Sequence, residues 1–230
     1  MLSKFNLYDF IAGVIPGIFF LWSLGTVLEV DALRQALPLT GGLAETSVLI
    51  VVGYITGLLL QGVSQLITEN LLFSIWGGFP SARYLLHENQ RFTELYKTDL
   101  NRAVSERFGV SLETAPSTDP LATRLKRSQE IFYRCYRAVD KLSDLPQTFN
   151  AQYGLFRALL TTFTLLGLIA WALVGVEWHA LGTPDRVRVI FALTITVAAV
   201  LSYFRMIKRA DDFAKAVFDV FLVNNRPSAG

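Results

Sequence analysis

Thr46-Ser-Val-Leu-Ile-Val-Val-Gly-Tyr-Ile-Thr-Gly-Leu-Leu-Leu-Gln-Gly-Val-Ser-Gln-Leu-Ile-Thr68 is a run of 23 residues without an Asp, Glu, Lys or Arg. A helix needs about 20 mostly apolar residues, range about 17–25, to cross the hydrocarbon core of a bilayer. Three further charge-free windows follow the same rule: Phe10–Leu28 with 19 residues, Ala158–Val176 with 19 and Val189–Phe204 with 16. They explain why a chain of 230 residues is 52% hydrophobic and only 17% charged, with a mean hydropathy of +0.41. A soluble domain carries about a quarter of its residues charged. The fold class expected is therefore all-α, an integral membrane four-helix bundle with a helical cytoplasmic domain formed by the span 2–3 loop and the C-terminal extension. Secreted, fibrous and ordinary soluble classes are excluded.

Residues 1–69 read as a transmembrane hairpin with spans about 10–28 and 46–68, and residues 157–207 as a second hairpin with spans about 158–176 and 187–206. Residues 70–156 read as a cytoplasmic helical domain, and 208–230 as a cytoplasmic amphipathic helix and tail. The first window is expected to be retained, because Lys4 alone precedes it and no small-x-small cleavage site follows. Orientation follows from Lys and Arg, which resist translocation. Glu29–Glu45 holds Arg34 against Glu29, Asp31 and Glu45, and Glu177–Arg188 is neutral. The long segment Glu69–Arg157 holds twelve Lys/Arg, and Arg205, Lys208, Arg209, Lys215 and Arg226 follow the last window. Both termini and the long loop are expected in the cytoplasm.

The long loop reads as helical. After the uncharged stretch Leu71–Pro80, Ser81 is expected to cap a short helix reaching Glu88. Phe92, Leu95, Tyr96, Leu100, Ala103, Val104 and Phe108 then recur at helical spacing, with Gly109 as the stop. Asp119-Pro120 opens a helix with Leu121, Leu125, Phe132, Cys135, Tyr136, Val139 and Leu142 on one face. Pro146 opens a helix running into the third span, and the fourth continues through Met206, Ala210, Phe213, Val217, Val220 and Phe221 as far as Asn224.

Gly53-Tyr-Ile-Thr-Gly57 is a GxxxG pair in an apolar segment, with Gln61, Ser64 and Gln65 continuing toward the cytoplasm. Small residues let helices approach closely, and an amide in hydrocarbon needs a partner. Gly53, Gly57, Gln61 and Gln65 are thus candidates for helix packing within one bundle, an intersubunit seam, or the lining of a water-filled path. Asp9 reads as a cap of the first helix, and Pro16-Gly17 as a kink that opens room for a neighbour.

No phosphate-binding loop, GxGxxG, GxSxG or HExxH is present. One cysteine, Cys135, and two histidines, His87 and His179, give neither a disulfide framework nor zinc-ligand spacing. No catalytic residue, metal or cofactor is expected. Arg124, Arg127, Arg134 and Arg137, with Lys126 and Lys141, make a basic helix that reads either as a solvated face near the inner leaflet or as a face for a partner or anion. Glu130, Asp140 and Asp144 interrupt it, and the whole loop carries twelve basic against ten acidic residues, a net of +2. A surface that tracks nucleic acid is more one-sided, which argues against direct nucleic-acid binding.

Three segments, Phe5-Asn-Leu-Tyr-Asp-Phe-Ile-Ala-Gly-Val-Ile-Pro-Gly17, Gln147-Thr-Phe-Asn-Ala-Gln-Tyr-Gly-Leu-Phe-Arg157 and Tyr203-Phe-Arg-Met-Ile-Lys-Arg-Ala-Asp-Asp-Phe-Ala-Lys-Ala-Val-Phe-Asp-Val-Phe221, resemble small bacterial membrane proteins encoded beside anti-phage defence genes, such as Kiwa-type membrane subunits. The resemblance implies a bacterial inner-membrane, multi-pass subunit that contacts membrane lipid, forms a homo-oligomer and docks a soluble cytoplasmic protein, with a nucleotide signal as an alternative input. It carries no ligand residues over to this chain. Two function classes are then expected to compete: an effector that alters membrane permeability, and a pore-less anchor that holds a soluble partner.

Overall fold

The computed structural model of the chain describes residues 7–28, 43–68, 78–113 and 117–225. The expectations for Arg34 and its loop at 29–42, for the apolar stretch 71–77 and for the tail from Arg226 lie outside the described residues. Every regular element among them is a helix: α1 (Leu7–Val27), α2 (Leu43–Ile67), α3 (Pro80–Arg83), α4 (Glu94–Phe108), α5 (Leu121–Val139), α6 (Leu145–Leu181) and α7 (Arg186–Asn224). Three are long and apolar enough to cross a membrane: α2 over Thr46–Ile67, α6 and α7. In α1 the apolar stretch Ala12–Val27 is shorter. The chain divides into two compact units, an apolar one (Met1–Thr68 with Ala151–Ile207) and a polar one (Glu69–Asn150 with Lys208–Gly230).

In the apolar unit α1 lies against α2 through glycines of both helices. A β-carbon on Gly57 would overlap the backbone of Gly13, and one on Gly17 would overlap the carbonyl of Gly53 and come within 2.6 Å of the Gly57 nitrogen. The backbones therefore approach to a distance only glycine permits. Phe10 stacks on Tyr54 beside this contact, with ring centroids 5.6 Å apart. Small residues also line the α6–α7 contact, where a β-carbon on Gly167 would sit 3.6 Å from Ile195 and Ala192 is fully buried. Leu59, Leu168, Ile190 and Leu201 are all more than half exposed. That outward apolar surface is what a hydrocarbon solvent requires and water penalises.

The polar unit is built around aromatic rings. Phe92, Leu100, Val104, Phe132, Cys135, Val139, Phe213, Val217, Phe218 and Phe221 form one buried cluster. Phe132 meets Phe213 and Phe218 edge-on at 5.5 and 5.6 Å, and Phe108 stacks on Phe221 at 5.5 Å. Such pairs contribute about 0.5–1.5 kcal/mol each beyond the area they bury.

Local signals set the helix ends, with several shifts from the sequence expectation. Pro80, not Ser81, opens α3: Phe79 is the N-cap, Ser81 is buried inside the helix, and the helix ends at Arg83 rather than Glu88. Thr93 caps α4 by accepting from the Tyr96 N–H, and Gly109 closes it at φ 66°, a left-handed conformation that glycine adopts without strain. Leu95 faces outward, 75% exposed, because Leu100, Ala103 and Val104 define the buried side. α5 begins after Pro120, which is its N-cap, and stops at Val139, so Leu142 lies beyond it and is 53% exposed. α6 starts one residue before Pro146 and extends past Val176 to Leu181. Asp9 is in the first turn of α1 rather than before it, since that helix starts at Leu7.

Gly57→Leu should force α1 from α2 and cost about 1–3 kcal/mol or more, the range for overpacking a close contact. Gly62→Leu is the matched control, because nothing lies within 4 Å of a β-carbon there. Thermal unfolding of the two purified variants in one detergent checks this, and equal midpoints would refute the contact.

Candidate functional site

Gly53 and Gly57 serve packing against α1 of the same chain, opposite Gly13 and Gly17. The face that sequence offered to a subunit seam or water path is therefore filled. Gln61 is half-buried, its backbone carbonyl accepting the Ser64 hydroxyl at 2.7 Å, and Gln65 is exposed. Pro16-Gly17 does make room for a neighbour, and Gly13 completes the match on α1, a partner the sequence reading missed. Its signal was present as a second small-xxx-small spacing in the first apolar window.

The four arginines of α5 divide by burial. Ile131, Phe132, Cys135 and Val139 turn one face of the helix into the core. Arg124 lies at the margin of that face, 13% exposed, and its guanidinium pairs with Glu88 at 2.5 Å and, through Nε, with Glu113 at 3.0 Å. The Arg124 hydrogen bond holds the Glu88 carboxyl below its usual range. This arginine is committed to internal carboxylates. Arg127, Arg134 and Arg137 occupy the opposite face with Lys126, Glu130 and Tyr133, all exposed. Among the described residues none of these three arginines is seen in an ion pair.

A second polar constellation lies where α7 meets α4 and the loop before it. Asp211 accepts the Tyr84 hydroxyl at 2.5 Å and the Arg91 Nε at 3.2 Å, and Arg91 Nη2 completes a forked pair. Two turns further, Asp219 accepts the Tyr96 hydroxyl at 2.8 Å. Burial first, and then the bond to Asp211, pushes the Tyr84 phenol well up; burial and Asp219 do the same to Tyr96. Burial likewise pushes the Cys135 thiol up to about 12, so it is inert rather than nucleophilic. The sequence reading missed these pairs; the clue was Asp211 and Asp219, eight apart beside the buried positions of an otherwise apolar helical face.

Among the described residues, clefts open on this unit. One, of about 450 Å³, is lined by Tyr96, Asp99, Arg102 and Asp219, with Arg102 paired to Asp99 at 3.0 Å and Asp219 accepting the Tyr96 hydroxyl at 2.8 Å. The other, of about 250 Å³, sets Arg124 and Arg127 against Glu113 and Asp119. Neither concentrates one sign of charge. Among the described residues no group of three or more His, Cys, Asp or Glu is placed to hold a metal ion. The outward α5 face is therefore the strongest candidate for recognition.

No family model, curated protein or solved structure matches this chain.

The folded polar unit keeps Cys135 and both tyrosines protonated, whereas the unfolded chain ionises them near their ordinary values of 9.0 and 10.0. Their contribution to stability is complete below pH 9 and is lost as pH rises past these values toward the raised folded ones. Tyr84→Phe should lower stability at neutral pH by about 1–2 kcal/mol, the loss of one hydrogen bond to a carboxylate, and flatten the alkaline decline. Melting curves at neutral pH and near pH 10.5 check both parts; an unchanged alkaline slope would contradict the assignment.

Proposed function

We propose that the chain is a four-span subunit of the bacterial inner membrane, with both termini and the α3–α5 unit in the cytoplasm, and that it couples a soluble cytoplasmic partner or an anionic signal to the membrane within an anti-phage defence system. The observation that carries this reading is the outward row Arg127, Arg134 and Arg137 on a helix packed against α7. α7 itself is long and apolar enough to cross a bilayer. Three guanidiniums one and two turns apart, with no ion pair to a carboxylate among the described residues, form a face complementary to an acidic protein surface or a phosphate group. α1 joins α2, α6 and α7 as the fourth span, its shorter apolar stretch accommodated by local thinning of the bilayer.

Between the two modes of action, the interior of the apolar unit favours the anchor. The buried positions of α6 and α7 between Ala158 and Met206 are mostly apolar, Ala158, Leu166, Ala170, Val174, Ala192, Ile195 and Met206 among them, with Thr161, Thr162 and Ser202 as small hydroxyls. An interior of mostly apolar side chains with a few small hydroxyls offers an ion little to replace its hydration, and crossing it unsolvated is costly. A permeability change on this reading requires several copies, joined by faces other than Gly53 and Gly57.

The double variant Arg134→Glu, Arg137→Glu should abolish partner binding and phage protection while the protein still inserts, since neither residue lies in an apolar window. Phage plating efficiency and membrane potential, measured in cells with the intact operon, test it. Full protection by the variant removes the arginine face from the mechanism. Depolarisation in infected wild-type cells would displace the anchor in favour of the permeability effector.

A further inference from the structure

Where α6 turns into α7, the apolar unit holds a cleft of about 200 Å³ between those two helices and the end of α1. Ala170 and Leu173 of α6, Val27 of α1 and Phe191 of α7 give it apolar walls, and Asp185 and Arg188 add its charged groups. All of these residues belong to the apolar unit. The cleft lies at the rim of three charge-free windows. Val27 is one residue from the end of the first, Leu173 three from the end of the third, and Phe191 two past the start of the fourth. At about 1.5 Å per residue these three stand within roughly 5 Å of the window ends, and Ala170, six residues in, roughly 9 Å deeper. If the windows are the hydrocarbon-crossing segments, the cleft runs from the headgroup boundary into the acyl layer; the inference rests on that reading.

Charge at this rim comes in both signs. Glu177 pairs with Arg188 and accepts the Asp185 N–H at 3.0 Å. Asp185 in turn accepts the Val187 N–H at 3.1 Å, capping α7, and stays exposed beside the exposed Arg186. Two carboxylates and two guanidiniums cancel, which complements a head group carrying a phosphate and an ammonium better than one carrying a phosphate alone. One turn deeper on the same face of α1 as Val27, the Ser23 hydroxyl is fully buried and meets no hydrogen-bond partner among the described residues. An acceptor at that depth, such as a lipid ester carbonyl, would offset the cost of burying it. An apolar cavity of about 150 Å³ takes up a benzene-sized molecule, so this cleft has room for the first part of a hydrocarbon chain. We infer that it is a binding site for one zwitterionic phospholipid, an acyl chain lying between Val27, Leu173 and Phe191, the phosphate on Arg186 and Arg188 and the ammonium on Asp185.

The test is native mass spectrometry of the full chain, released from detergent after incubation with equal amounts of phosphatidylethanolamine and phosphatidylglycerol. One phosphatidylethanolamine should be retained per chain, favoured about three- to fivefold over phosphatidylglycerol, the worth of one exposed ion pair. Leu173→Trp fills the cleft from one wall and should remove the retained lipid. Asp185→Asn keeps an acceptor for the α7 N–H but removes the charge, so lipid should stay while the preference is lost. Wild type that favours phosphatidylglycerol or neither lipid overturns the zwitterionic assignment. Wild type without a one-to-one lipid, or a folded Leu173→Trp variant that retains it, overturns the site. Where Leu173→Trp fails to fold, Asp185→Asn decides, and an unchanged preference there overturns the proposal. A chain that does not float with phospholipid vesicles overturns the membrane reading, and the site with it; one that floats but retains no lipid overturns the site alone.

Discussion

α7 is one helix that answers to two solvents, and the rest of the molecule is arranged around that constraint. From Val189 to Phe204 it carries no charge and turns leucines and valines outward. From Met206 to Phe221 it buries Met206, Ala210, Phe213, Ala214, Val217, Phe218 and Phe221 while Lys215 stays exposed. The first half suits hydrocarbon, where the backbone must satisfy itself and side chains need only be apolar. The second half is an ordinary amphipathic stripe that needs a surrounding core. α4 and α5 supply that core, and without them the phenylalanines of α7 would stand in water.

Aspartates on the same stretch of α7 give the aromatic core its register. A greasy cluster specifies that helices pack, but leaves sliding by a turn comparatively cheap. Tyr84 and Arg91 on Asp211, and Tyr96 on Asp219, are directional bonds at two fixed heights. A slip of one turn would strand partly buried carboxylates and phenols without partners, which costs more than the hydrophobic contacts would recover.

Much of the architecture was legible because long charge-free windows and helical spacing are coarse, redundant signals. The helical reading of the loop, the stop at Gly109 and the run of α7 to Asn224 all rest on such signals. Finer features were not legible. Leu95 fits the same periodic pattern as Tyr96, and only the tertiary position of the core sends one outward and the other inward. Gly53 and Gly57 announced a close helix contact, but not which helix, because a small-residue face is equally suited to any neighbour. Arg124 could not be separated from Arg127 by composition; the difference comes from Glu88 and Glu113, distant in sequence and brought together by the fold.

The polar unit is discontinuous along the chain, its two parts separated by the apolar stretch Ala151–Ile207. A ribosome making about 5–20 residues per second needs roughly 4–15 s to travel from Val139 to Phe213. Throughout that interval Phe132, Cys135 and Val139 have been synthesised while Phe213, Val217 and Phe218 do not yet exist. Biogenesis therefore imposes an order: the unit closes only after the last apolar helix is made. Until then its half-finished core is a substrate for chaperones, and the final stretch of translation decides whether the earlier one is kept.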